Sequence, residues 1–169
     1  MIWKRTLLLG LLAVTGLALE TSLFGSATLA GAKPQLLLLA TVALGMIEGP
    51  ESGAVAGFTL GLATDVLGSR PAGLAALIYT ILGFAVGRLR VQVQTPTAWL
   101  PIAMEGAAAF LATVLYGGLA ALLGETVGAA DLVRFGGLSA LYNALLTPFV
   151  FPVVRVLAER LRVQKVYQL

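Results

Sequence analysis

The feature that most constrains this chain is a succession of apolar runs, separated by short polar or glycine-rich turns, that continues from Leu7 almost to the C-terminus. No segment supplies the charged exterior that would keep so much apolar surface dissolved in water. Of the 169 residues, 59% are hydrophobic and 11% charged, whereas a soluble domain carries about 25% charged residues. Mean hydropathy is +0.95. The chain reads as a membrane protein. Because apolar runs follow the first one, residues 7–23 do not read as a signal peptide ahead of a soluble domain. Residues 25–32 offer small side chains that a cleavage site could use, but Glu20 and the polar turn beside it fit a membrane exit, so a retained first helix is expected.

A helical span requires about 20 apolar residues, with a range of about 17 to 25. Six are predicted, over residues 5–24, 34–47, 53–66, 73–89, 99–123 and 132–156, followed by a basic cytoplasmic tail, residues 157–169. The expected fold is all-α, a single integral membrane domain over residues 1–169. Pro34 suits the first turn of the second span, where its missing N–H has no partner anyway. The segment "EGPESG", residues 48–53, reads as a break before the third. Spans two and three hold about fourteen residues each, which at 1.5 Å per residue reach roughly 21 Å, short of the ~30 Å hydrocarbon core. They read either as a re-entrant, tightly packed pair or as two short helices sheltered by longer neighbours.

Basic residues set the orientation. With a cytoplasmic N-terminus the inner segments hold eight of the 11, namely Lys4, Arg5, Arg88, Arg90, Arg155, Arg160, Arg162 and Lys165; the outer ones hold Lys33, Arg70 and Arg134. The excess of positive charge places both termini in the cytoplasm. Trp3, Trp99 and Tyr167 fall at interface depths. The tail from Arg155 reads either as lying along an anionic inner leaflet or as the end of helix six.

Cysteine and histidine are both absent from the sequence. That excludes disulfides, thiolate nucleophiles, nitrogen- or sulfur-ligated zinc and every triad with an imidazole base. Intramembrane proteolysis would need Gly-x-Ser-Gly with a histidine, or Gly-x-Gly-Asp, and neither occurs. Phosphoalcohol transfer needs clustered aspartates, but Asp65 and Asp131 are the only two. A phosphate-binding glycine loop is missing as well. No catalytic, cofactor-binding or metal residue is expected.

The stretch "SGAVAGFTLGLATD", residues 52–65, places Gly53, Gly57 and Gly61 at four-residue spacing and Asp65 at the next step. Such spacing opens a groove without side chains, into which another backbone can move. Gly83 and Gly87 repeat it on helix four. Helix three is therefore expected to be central, its glycine face covered from within the chain. Asp65 falls at a helix C-terminus, where the dipole disfavours an anion. It reads as fixing the next turn, through Ser69, Arg70 or the N–H groups opening helix four, or alternatively as contacting a partner or ligand.

Four further residues are candidates for buried polar or helix-shaping positions: Glu20, Glu105, Asn143 and Pro148. A charge at mid-membrane costs about 2.5 to 3.5 kcal/mol on insertion scales, so such groups face the protein interior or a polar cavity. Glu105 lies roughly 9 Å inside Trp99 along the helix. Its candidate partners are Asn143, Tyr79, Tyr142, Arg88 and Arg155, with internal pairing and a transport role both open. Asn143 reads as an interhelical hydrogen bonder, and Pro148 and Pro152 as bends in helix six.

The run "KPQLLLLATVAL", an acidic turn and then "GAVAGFTLGLATDVLGSRPAGLAALIYTILGFAVG" resemble the MreD family of rod shape-determining membrane proteins. Gly57, Phe58, Gly61, Leu62 and Asp65 match that family's Gly-Phe-x-x-Gly-Leu-x-x-Asp; Gly73, Ala76 and Leu77 match the positions that follow. Asn143, Thr147 and Pro148 fit a late Asn with a downstream Thr-Pro, while the basic C-terminal tail departs from the pattern. The resemblance implies a non-enzymatic scaffold of the cell-elongation machinery in the bacterial inner membrane. It would bind MreC and help couple MreB filaments to peptidoglycan synthases, a SEDS glycosyltransferase and a class B penicillin-binding protein. It also implies a six-helix fold similar to the substrate-binding subunits of ECF vitamin transporters, which supplies the alternative function. Aromatic residues make up 8% of the chain and the outer loops are short and poor in polar groups, so the scaffold reading is preferred. A channel would need a polar helix face, and none is seen.

Overall fold

The computed structural model describes residues 2–22, 33–67, 73–92, 99–124 and 128–161. These form six helices and, among the described residues, no strand: α1 (Ile2–Ser22), α2 (Leu36–Glu48), α3 (Pro50–Leu67), α4 (Leu74–Gln92), α5 (Leu100–Leu122) and α6 (Ala129–Leu161). Packed pairs run antiparallel. Glu20 near the end of α1 meets the start of α2; Gly87 lies against Pro50 and Gly61 against Ala75 across α3 and α4. In the α5–α6 pair, Gly117 faces Leu132 and Gly106 faces Ala140 and Ala144.

Helix ends differ from the sequence expectation where turn chemistry decides them. The acids and proline of "EGPESG" read as a break, yet only Gly49 leaves the helical path, at φ +101°. Pro50 then opens α3, its fixed φ and missing N–H costing nothing in a first turn. α3 therefore has 18 residues, about 27 Å. Pro34 lies outside α2, one residue before the N-cap Gln35, which leaves α2 with 13 residues, about 20 Å. α6 has 33 residues, about 50 Å, well beyond a ~30 Å hydrocarbon core. Residues 157–161, expected in the tail, belong to this helix, where Arg155 and Glu159 form an exposed i, i+4 ion pair of 2.8 Å.

α2, not α3, is the central helix. Every residue from Leu36 to Met46 is buried, and α2 touches each of the other five helices. Its leucines point in all directions, and a helix apolar on every side is stable only when surrounded. α3 is apolar on both faces but unequally so. Its glycines face α4 while Val55, Phe58, Leu62 and Val66 face outward.

The outer surface is apolar. All helices but α2 expose large hydrophobic side chains, including Val14, Val66, Phe84, Leu111 and Phe149. α5 and α6 are long and apolar enough to cross a membrane, and only 28% and 17% of their spanning windows are buried. The core helix of a soluble protein would be mostly covered. An exposed apolar surface of this extent is a liability in water and costs nothing against lipid.

Candidate functional site

Along the α3–α4 contact the two backbones touch directly. A Cβ placed on Gly53 would overlap the Gly83 carbonyl, and one on Gly83 would overlap the Gly53 carbonyl. A Cβ on Gly57 would run into the carbonyl of Tyr79, and one on Gly61 would lie 2.6 Å from both the Ala75 oxygen and the Ala76 Cα. At Gly87 it would lie 2.5 Å from the Pro50 Cα. Gly45 of α2 joins the same crossing, where a Cβ would stand 2.7 Å from the Gly83 oxygen. Three helices therefore meet backbone to backbone at Gly45, Gly53 and Gly83. Such closeness maximises dispersion and Cα–H···O contacts, the attractions left when lipid removes the hydrophobic drive between helices.

Asp65 closes the end of this seam where α4 begins. Its Oδ2 accepts hydrogen bonds from the Gly73 N–H at 2.9 Å and the Ala76 N–H at 3.0 Å; its Oδ1 accepts from the Ala75 N–H at 3.1 Å. The side chain is buried. The unfavourable position at the end of α3 is offset by the free N–H groups at the start of α4, whose dipole welcomes an anion. Ser69 and Arg70 lie outside the described residues.

A second polar junction surrounds the N-terminus of α2. Gln35, the N-cap, makes no side-chain cap of its own, so other helices satisfy the first N–H groups. The Gln35 N–H donates to Asn143 Oδ1 at 3.0 Å, and the Leu37 N–H donates to Glu20 Oε1 at 3.1 Å. Gln35 Nε2 reaches Thr113 Oγ1 on α5 at 3.2 Å. Since Asn143 lies near the midpoint of α6, the short α2 begins deep inside the bundle. Asn143 and Glu105 are 0% and 1% exposed. Glu105 Oε1 has no hydrogen-bond partner, so none of the expected partners donates to it. Pro148, grouped with the buried polar residues by sequence, is exposed. The buried groups of that turn are Asn143 and Thr147, whose hydroxyl donates to the Asn143 carbonyl at 2.6 Å.

Glu20→Gln keeps the acceptor oxygen and is expected to change stability by less than about 0.5 kcal/mol, whereas Glu20→Leu strands the Leu37 N–H and should cost about 1 to 2 kcal/mol. Thermal unfolding in detergent separates the two; equal losses would remove the capping role.

Among the described residues no cluster of acids could hold a metal ion. The Asp65 and Glu20 carboxylates face backbone amides at the starts of α4 and α2. This geometry carries the residues of the sequence signature, and the profile of a family described as rod shape-determining protein MreD matches residues 2–160. The chain belongs to the MreD family. It is thus a rod shape-determining membrane protein. Neither the curated proteins nor the solved structures gave a match.

The MreD signature run divides by direction. Gly57, Gly61 and Asp65 face α4, whereas Phe58 and Leu62, 55% and 42% exposed, face outward. Gly73 supplies the turn and Ala76 an N–H to Asp65, while Leu77 is exposed. Sequence reasoning missed Gly45, Gln35 and Thr113. Gly45 is a lone glycine in an apolar run and has no periodic companion to mark it. Gln35 carried a signal, the one polar side chain between Pro34 and four leucines.

Proposed function

We propose that this MreD protein is a non-enzymatic scaffold of the cell-elongation complex, a single domain crossing the bacterial inner membrane six times with both termini in the cytoplasm. It binds MreC and, through it, helps couple MreB filaments to a SEDS glycosyltransferase and a class B penicillin-binding protein. The observation that carries this reading is the division of labour in the bundle. Glycines and capped carboxylates turn inward and lock the helices, leaving large apolar side chains on five helices free for lateral contact. The helix arrangement is, on this reading, like that of ECF transporter substrate-binding subunits.

Co-expression with tagged MreC tests the scaffold. The chain is expected to be retained with MreC in mild detergent well above an unrelated multi-span control; recovery at the control level would remove the proposal. The alternative, a vitamin-binding transporter subunit, draws on the unpartnered polar atoms near Asn143. Saturable vitamin binding by the purified chain would put it first.

A further inference from the structure

Among the described residues, three side-chain polar atoms are sealed from solvent without a hydrogen-bond partner: Gln35 Oε1, Asn143 Nδ2 and Glu105 Oε1. They belong to one region of the bundle. Asn143 is aimed at the α2 N-terminus, since its Oδ1 accepts from the Gln35 N–H. Glu105 sits one residue from Gly106, which packs against Ala140 and Ala144 on either side of Asn143. Buried polar groups are nearly always paired with protein or with ordered water, and one left bare is destabilising.

The inventory identifies the missing partner. The orientation of Asn143 is fixed by its bond to the Gln35 N–H, so Nδ2 is a donor seeking an acceptor. Gln35 Nε2 is likewise fixed by Thr113, so Oε1 is an acceptor seeking a donor. An anion would oppose the Glu20 carboxylate already on the Leu37 N–H. A cation would meet the amino group of Asn143 and the positive end of α2. A small neutral molecule with two donors and an acceptor fits both constraints. We propose that ordered water occupies this junction, accepting from Asn143 Nδ2 and donating to Gln35 Oε1 and Glu105 Oε1. Water in such sites makes about three hydrogen bonds and is costly to remove.

The test is a structure of the full chain in lipid nanodiscs at a resolution that shows ordered solvent. Density within hydrogen-bond distance of Asn143 Nδ2 and of at least one of the two acceptors is expected. A dry site with direct Asn143–Glu105 or Asn143–Gln35 side-chain contacts overturns the proposal, and so does density for a larger ligand. A second measurement does not depend on resolution. Melting temperatures of Glu105→Leu, Asn143→Leu and the double variant are compared, with Glu105→Gln as a conservative alternative should Glu105→Leu not fold. Groups sharing one water lose it together, so the double variant should lose clearly less than the two single losses combined. Additive losses would show that no molecule links the pair.

Discussion

Gly57→Leu is expected to prevent the bundle from closing, and even Gly57→Ala to cost about 2 kcal/mol or more, near the upper range for overpacking a dense core. What a side chain would meet here is the Tyr79 carbonyl and the Thr80 nitrogen, backbone atoms in the middle of α4. A flexible side chain can turn aside, but a helix backbone yields only by moving the helix. That movement would pull Gly53 from Gly83 and Gly61 from Ala75 as well, so the penalty spreads along the seam. The comparison is Gly137→Ala on α6, where a Cβ meets nothing within 4 Å. There the gain in helix propensity, up to about 1 kcal/mol, should appear as increased stability. Thermal unfolding in detergent should give the two alanine variants opposite signs. Equal effects would refute the packing role of the seam.

Asp65→Ala is expected to destabilise by at least about 3 kcal/mol, because three amides of the α4 entry lose their acceptor together. The Gly73, Ala75 and Ala76 N–H groups donate to one carboxylate, and no water in a buried site replaces it for free. Asp65→Asn keeps one acceptor oxygen but sets an amino group against the same donors, so it should fall between the wild type and Asp65→Ala. Hydrogen exchange distinguishes this local role from general unfolding. Amides 73–76 should exchange faster in Asp65→Asn while those near Gly53 and Gly83 keep their protection. Uniform acceleration would argue against a cap specific to α4.

How much of this is legible in the sequence depends on whether the deciding interaction is periodic. The seam is visible because close approach needs a small residue on each turn of one face, and Gly53, Gly57 and Gly61 provide it at the helical repeat. Gly83 and Gly87 mark the other side. Gly45 is invisible because a single crossing point has no period. The central place of α2 is written in its lack of a polar face, but its short length fitted both a re-entrant pair and a short helix sheltered by longer neighbours, and the glycine stripe drew the central place to α3 instead. "EGPESG" misled because acids and proline resemble a loop in composition, although proline in a first turn and one glycine with positive φ make the tightest connection in the fold. The end of α6 was legible only as two alternatives. Arg155, Glu159 and Arg160 fit a segment along an anionic inner leaflet or the end of helix six, and oppositely charged residues four apart support the helix. Glu105 shows the remaining limit. Its position predicts burial, but what surrounds it depends on how α5 packs against α2, α4 and α6.

The single-residue link at Gly49 has a consequence for how this region can vary. Each residue turns a helix by about 100° and advances it 1.5 Å. One amino acid inserted between Gly45 and Gly53 would swing α3 about a quarter of a turn, carrying its three glycines away from α4 and presenting bulkier neighbours in their place. The segment can absorb many exchanges of one apolar residue for another, but hardly any change in its count. Its reading frame in space is set by length.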